Sequence, residues 1–149
     1  MTQLFDKEQA IGHMLGLTYR KLTTLFLSRM KSYEITPEQW SVLFQIYKAE
    51  GLIQKEIAER SGRDRPTTTR ILDHLEQRRL VYRKIGERDR RSFKVYITDE
   101  GKRLMEEMIP VERRLNEEVR QCVSDEELDL LRELLSRIGQ HVQDISERE

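Results

Sequence analysis

Residues 54–98 combine two short helical segments with two segments of alternating polarity, and this order restricts the fold more than any other feature of the chain. The first segment, residues 55–60, carries Ile57 and Ala58 on one side. Ser61-Gly62 then breaks the pattern and predicts a turn.

The second helical segment has two distinct faces. A rotation of about 100° per residue separates an inward, mostly apolar face from an outward, polar face. The inward residues are Thr68, Ile71, Leu72 and Leu75. The outward residues are Pro66, Thr69, Arg70, Asp73 and Gln77. Arg70 is therefore expected to point away from the core.

Two short strands are predicted after this helix, because their side chains alternate with a period of two. Residues 80–85 form the first strand and residues 93–97 the second, and the charged sequence 87–91 lies between them. A helix, a turn, a helix and a hairpin in this order describe a winged helix-turn-helix, in which the hairpin is the wing. The expected fold is therefore mainly α with a small β-hairpin.

Helices are also predicted before this motif. Residues 8–32 place apolar side chains at intervals of three and four, which is typical of one long amphipathic helix. Thr36 and Gln39 can form a reciprocal capping box for the next helix, and Pro37 suits its first position. Residues 40–48 are apolar on nearly all sides, so we expect this helix at the centre of the core.

Two further helices are expected after the motif. One opens at Thr98-Asp99, runs to about Val123, and should bend at its internal Pro110. Ser124 and Glu127 can cap the last helix, in which apolar residues recur every seven positions. We interpret this seam as a subunit interface, with a core-facing stripe of a monomer as the alternative. The seam consists of Leu128, Leu131, Leu135, Ile138, Val142 and Ile145.

The neutral total of 27 basic and 27 acidic residues conceals an uneven distribution of charge. Residues 54–98 contain 13 Lys or Arg against 7 Asp or Glu, a net charge of +6, whereas residues 99–149 contain 8 against 15, a net charge of −7. A basic centre beside an acidic C-terminal region indicates a polyanionic partner for the centre.

Double-stranded DNA fits this pattern, because its major groove admits a helix whose N-terminus can also attract phosphate. Arg70 is placed to pair with guanine, unless Asp73 holds it in an exposed ion pair. The basic wing can enter a minor groove, with Asp89 holding a guanidinium. The candidate DNA-binding residues are Arg63, Arg65, Thr67, Thr69, Arg70, Lys84, Arg88, Asp89, Arg90 and Arg91.

Other classes of protein have little support. The apolar runs are too short to cross a bilayer and the start lacks the order of a signal peptide, so a cytoplasmic location is expected. Cys122 is the single cysteine, which excludes an intrachain disulfide, and its helical phase predicts packing as a small hydrophobe. Neither the three histidines nor any nucleophile has the spacing of a metal or catalytic site, so no metal, cofactor or enzymatic activity is expected.

Three stretches resemble the signature of the MarR family of bacterial transcriptional regulators. They are Leu75-Glu76 to Leu80-Val81, Asp89-Arg90-Arg91-Ser92 and Ile97-Thr98-Asp99-Glu100-Gly101. The resemblance covers nearly the whole chain and implies one domain, 1–149, with a DNA-binding lobe at 36–98 and dimerisation helices at 8–35 and 99–149. It also implies a two-fold dimer, to whose interface Ile11 and Leu15 would contribute, bound to a pseudo-palindromic operator and often released by a small ligand.

The resemblance assigns roles to individual residues as well. The family's Asp-x-Arg maps onto Asp89 and Arg91, and Arg91 would enter the minor groove. Ile53 stands where the family usually has a capping Ser or Thr, and Arg79 where a glycine usually ends the recognition helix. The N-terminal helix has no cysteine, which disfavours the peroxide-sensing branch. The effector pocket, between the dimer helices and the lobe, would be lined by His13, Tyr19, Arg20 and Trp40.

We therefore expect a homodimeric, sequence-specific DNA-binding regulator that acts as a ligand-responsive repressor. The alternative is a winged-helix module that binds protein and has no specific affinity for DNA, since the same fold serves both purposes. The basic centre opposes that alternative. An enzyme acting on a small aromatic substrate near Trp40 is a third possibility, but it lacks a base with an orienting partner.

Overall fold

The computed structural model describes residues 3–85 and 92–149 and confirms the predicted mainly helical fold with a small antiparallel sheet. A short 3-10 turn, Lys31–Tyr33, links the first two helices. The helices are α1 (Ile11–Arg29), α2 (Pro37–Lys48), α3 (Gln54–Ser61), α4 (Arg65–Gln77), α5 (Asp99–Arg120) and α6 (Asp125–Arg148). The strands are β1 (Leu52–Ile53), β2 (Val81–Ile85) and β3 (Phe93–Ile97).

The chain divides into two compact units within α5. The first unit extends to Glu112 and contains α1 to α4 and the sheet, and the second runs from Arg113 to Glu149. The boundaries predicted for a DNA-binding lobe and for dimerisation helices remain predictions.

Helix α2 starts at the predicted capping box and forms the centre of the first unit. The Gln39 N–H donates to Thr36 Oγ1 over 3.2 Å, and the Thr36 N–H donates to Gln39 Oε1 over 3.1 Å. The Trp40 ring is buried between Phe26 of α1 and Phe44 of α2, at centroid distances of 6.5 and 5.8 Å. The expectation that α2 lies in the core is confirmed.

The turn between α3 and α4 and the faces of α4 also follow the prediction. Gly62 adopts a left-handed conformation with φ of 67°, and the next N–H, of Arg63, bonds to Ala58 O over 3.0 Å. The inward residues Thr68, Ile71, Leu72 and Leu75 are all buried. The outward residues Pro66, Thr69, Arg70, Asp73 and Gln77 are all exposed.

Arg79 ends the α4 region in the left-handed conformation, with φ of 59°, at the position where the family resemblance implies a glycine. The Leu80 N–H bonds to Leu75 O over 3.0 Å, as in a helix ending of the Schellman type. Beside it, the Arg78 guanidinium donates to the carbonyls of Glu34 and Tyr33 over 2.7 and 3.0 Å. These bonds fasten the C-terminal end of α4 to the connection between α1 and α2.

The sheet has the order β1-β3-β2 and is antiparallel throughout. Val81 lies opposite Ile97, and Arg83 lies opposite Val95. Strand β1 was not predicted, because two residues are too short to show alternation. Its Ile53 is the N-cap of α3 and has no capping side chain, as the departure from the family pattern indicated.

Helix α5 continues through Pro110 but ends at Arg120, earlier than predicted. Cys122 consequently lies in the turn before α6 and is exposed, so the expectation that it packs on a helix face is wrong. The Cys122 thiol lies 3.3 Å from Val119 O. The apolar spacing predicted helix to about Val123 because side-chain periodicity does not show where the helical hydrogen bonds of the backbone end.

Helix α6 begins at the predicted capping box, in which the Glu127 N–H donates to Ser124 Oγ and the Ser124 N–H donates to Glu127 Oε1. The hydrogen bonds with Ser124 hold the pKa of Glu127 below its usual value. The helix buries none of its described residues within the chain. Among the described residues, no helix is both long and apolar enough to cross a membrane.

We expect Gly101→Ala to destabilise the protein and Gly139→Ala to stabilise it slightly. A Cβ at Gly101 would lie 2.3 Å from Leu80 O and 2.7 Å from Ile97 Cγ1, whereas a Cβ at Gly139 would meet nothing within 4 Å. Overpacking should cost about 1–3 kcal/mol, and alanine should gain up to about 1 kcal/mol in an open helical position. Urea unfolding at one protein concentration measures both, and equal stability of Gly101→Ala and the parent chain would contradict the close packing.

Candidate nucleic-acid interface

The start of α4 is capped by a residue that the sequence analysis missed. The Thr67 N–H donates to Asp64 Oδ1 over 2.8 Å, and the hydrogen bonds from Thr67 hold the pKa of Asp64 below its usual value. One of the N–H groups that we expected to face phosphate is therefore already used, and a carboxylate stands at the helix end. Asp64 followed by Pro66 is a helix-start pattern that could have identified this cap.

The outward face of α4 borders a shallow, open groove of about 380 Å³. Arg70 lies on this face and is exposed, as predicted. The groove is lined by Pro66, Thr69, Arg70, Asp73, His74 and Gln77. It therefore presents one cation, one anion and several neutral polar groups on a single helical surface, which suits the reading of base edges better than uniform attraction to phosphate.

Thr69 is less available for hydrogen bonding than the sequence suggested. Its hydroxyl donates to the carbonyl of Arg65 over 2.9 Å and accepts a short hydrogen bond from Gln54 Nε2 of α3. The hydroxyl proton is committed inside the protein, so in this conformation Thr69 cannot donate to a phosphate. Sequence reasoning missed Gln54, because its contact depends on the packing of α3 against α4.

Asp73 pairs with the wing and not with Arg70. Arg83 of β2 lies 2.8 Å from Asp73 and 3.4 Å from Glu76, measured between guanidinium nitrogen and carboxylate oxygen. The alternative that Asp73 neutralises Arg70 is therefore not observed among the described residues. These two ion pairs connect the base of the wing to α4.

Lys84 and Lys94 lie opposite each other on neighbouring strands. The pleat puts them on the same face as Tyr82 and Tyr96, whose rings stack at a centroid distance of 5.4 Å. Lys84 Nζ lies 5.4 Å from the Tyr96 ring centroid. Lys84 is thus on the opposite face of the sheet from Arg83.

Of the remaining predicted DNA contacts, Arg63 and Arg65 lie among the described residues and those of the wing tip do not. Arg65 is exposed at the first position of α4, whereas Arg63 is half-buried and its Nε has no hydrogen-bond partner among the described residues. The wing-tip predictions lie outside the described residues and remain predictions. They concern Arg88, Asp89, Arg90 and Arg91.

The four residues predicted to line an effector pocket do not all lie close together in one chain. Trp40 is buried against Phe26, while Tyr19 and Arg20 are exposed on α1. His13, also exposed on α1, is about 20 Å along the helix from Phe26. The effector pocket remains a prediction.

Comparison with known proteins gives a family match for the DNA-binding region and structural matches for nearly the whole chain. Residues 35–93, which span α2 to the start of β3, match the model of the MarR family. The chain contains a MarR-family domain at residues 35–93. The predicted resemblance is confirmed, and the chain is a DNA-binding transcription regulator of the winged-helix type.

Solved structures of MarR-family regulators share nearly the whole fold. The transcriptional repressor CouR, bound to a 23-mer DNA duplex, is 26% identical over 93% of this chain and 99% of CouR, with a TM-score of 0.81. The transcriptional regulator SlyA is 25% identical over 91% of this chain and 96% of SlyA, with a TM-score of 0.82. Bordetella bronchiseptica BpsR, whose structure concerns regulation of DNA binding by 6-hydroxynicotinic acid, is 20% identical over 92% and 98%, with a TM-score of 0.83.

We expect Arg83→Lys to weaken binding to specific DNA by up to about fivefold, the value of one exposed ion pair. Lysine keeps the charge but cannot bridge Asp73 and Glu76 with two guanidinium nitrogens, so the wing should lose its fixed orientation relative to α4. Fluorescence anisotropy at several salt concentrations measures the effect. The salt slope should stay unchanged, and an unchanged affinity would contradict a positioning role for Arg83.

Proposed function

We propose that this MarR-family protein is a homodimeric repressor that binds a pseudo-palindromic operator and is released by a small-molecule ligand. The observation that carries the proposal is the outward face of α4, on which Arg70 is exposed and to which a wing strand is anchored through Arg83 and Asp73. A second copy related by a two-fold axis would present the same pair of elements to the next half-site, about 10 base pairs away.

Sequence recognition is assigned mainly to Arg70. Its guanidinium can donate two parallel hydrogen bonds to O6 and N7 of guanine, which is the commonest specific contact in the major groove. Asp73, less than one turn further along α4, is already paired with Arg83. Arg70 is thus not held by Asp73, and the basic wing supplies attraction that does not depend on sequence.

The homodimer is supported by apolar surface at both ends of the chain. On α1, Ile11 and Leu15 are 53% and 44% exposed. On α6, four residues of the heptad seam are 41–55% exposed, and the other two are half-buried. The four are Leu131, Leu135, Val142 and Ile145. Contiguous apolar faces of this kind usually mark an interface, and a second copy offers an identical seam.

Repression and ligand response are proposed by analogy. CouR is a transcriptional repressor, and DNA binding by BpsR is regulated by 6-hydroxynicotinic acid. An effector would act by binding more tightly to the conformation that cannot engage both half-sites. The proposed effector contacts remain His13, Tyr19, Arg20 and Trp40. Because His13 lies far along α1 from the Phe26 that contacts Trp40, further residues would be needed to complete a pocket.

We expect Arg70→Ala and Arg91→Ala to change DNA binding in different ways. Loss of the Arg70 guanidinium should reduce discrimination against a changed guanine by about tenfold or more. Loss of Arg91 should weaken binding to every duplex and reduce the salt slope by about one. Titrations of operator and random duplexes across ionic strengths separate the two effects.

Arg148→Ala is the matched control, since it removes the same charge from the C-terminal end of α6. It should leave both affinity and salt slope unchanged. An unaltered salt slope in Arg91→Ala would reject the role of the wing. Failure of the parent chain to bind random DNA or heparin at low salt would favour the protein-interaction alternative.

We expect Leu135→Glu to convert the protein to a monomer and to abolish tight operator binding. The substitution would bury a carboxylate in the proposed seam, which is costly without a partner. Gln140→Glu adds the same charge on the opposite face of α6, where Gln140 bonds to Asp144, and should remain dimeric. Analytical ultracentrifugation measures the mass, and a dimeric Leu135→Glu variant would place the interface elsewhere.

A further inference from the structure

We propose that Thr69 recognises a thymine through its γ-methyl group and that Gln54 is the positioning residue that orients it. The inference deepens the proposed function and rests on it, because α4 must enter the major groove. It also replaces the expectation that the Thr69 hydroxyl reaches DNA.

Two hydrogen bonds hold the Thr69 hydroxyl against the protein. A threonine hydroxyl has one proton to donate and two lone pairs to accept with. The proton is directed to the carbonyl of Arg65, and one lone pair receives the amide N–H of Gln54. The hydroxyl is therefore turned toward the protein on both counts, and the γ-methyl is the part of this exposed side chain that remains free to contact a base.

The same hydrogen bonds restrict the rotation of the Thr69 side chain. Threonine is branched at Cβ, so fixing the hydroxyl also fixes the direction of the methyl. The bond from Gln54 comes from α3, so it relates the methyl to a second helix as well as to α4. A methyl held in this way needs no ordering when DNA binds, which lowers the entropic cost of the contact.

The surroundings of Thr69 suit a contact with a base. Thr69 lines the groove on the outward face of α4 together with Pro66 and Arg70. The thymine C5-methyl is the apolar group that the major groove presents, and threonine methyls are suitable partners for it. Because Thr69 and Arg70 are adjacent, the thymine should lie in the same half-site as the guanine that Arg70 contacts.

The test removes the thymine methyl without changing base pairing. An operator is first selected from a random pool with the full-length protein, and each thymine is then replaced in turn by deoxyuridine. We expect one position in each half-site at which the replacement weakens binding about fourfold, the effect of one buried methyl group. Competition titrations in one buffer give the ratio of affinities for the thymine and uracil duplexes.

Three variants separate the parts of the side chain. Thr69→Ser keeps the hydroxyl and loses the methyl, so its ratio at that position should fall to about one. Thr69→Val keeps a methyl but loses the hydroxyl that Gln54 holds, so its ratio should lie between those of the parent chain and Thr69→Ser, close to that of Gln54→Met. Gln54→Met removes the donor at nearly constant length and charge, and should reduce the ratio while leaving the unfolding midpoint close to that of the parent chain.

The possible results distinguish failure of the proposed function from failure of methyl recognition. If the parent chain selects no sequence, the proposed function fails and this inference fails with it. If it selects an operator but no single uracil weakens binding, or if Thr69→Ser keeps the parent ratio, methyl recognition is wrong while the proposed function stands. If Gln54→Met keeps the parent ratio, Gln54 is not the positioning residue.

Discussion

The burial of one face of α4 is the constraint on which the rest of the structure depends. Thr68, Leu72 and Leu75 have no exposed surface, and α4 packs against both α2 and α3. Since helical geometry sets the angle between successive side chains, burying these residues also determines which ones face outward. The same apolar contacts that stabilise the first unit therefore present Thr69 and Arg70 to solvent. The packing of this helix therefore also determines the surface that we propose for DNA recognition.

The parts of the fold that depend on local rules were predictable from the sequence. The capping pairs Thr36 with Gln39 and Ser124 with Glu127 formed as expected, and the alternating segments became the two wing strands. Bonds between elements were not predictable in the same way. Asp73 bonds to Arg83 instead of Arg70, because the partner across the helix–sheet contact is better placed than the neighbour on the same helix. Sequence spacing measures distance along a helix and not across a packed interface.

Tertiary contacts also explain how the chain tolerates its departures from the family pattern. A left-handed Arg79 in place of glycine costs about 1 kcal/mol. The adjacent Arg78 donates two hydrogen bonds to backbone carbonyls, and bonds of this kind, made by a charged donor, contribute about 1.5 kcal/mol or more each. The hydrogen bonds from Arg78 to the carbonyls of Tyr33 and Glu34 therefore offset the cost of a residue other than glycine at position 79.

The distribution of charge distinguishes the centre of the chain from its C-terminal region. Residues 54–98 carry a net +6 and residues 99–149 a net −7. Phosphate would be repelled by α6, whose first turn alone contains Asp125, Glu126 and Glu127, so this helix is unsuited to DNA. The exposed apolar seam of α6 suits another apolar surface, and the symmetric partner proposed above would provide one of matching length. A polyanion would instead be attracted to the basic residues of the segment 54–98.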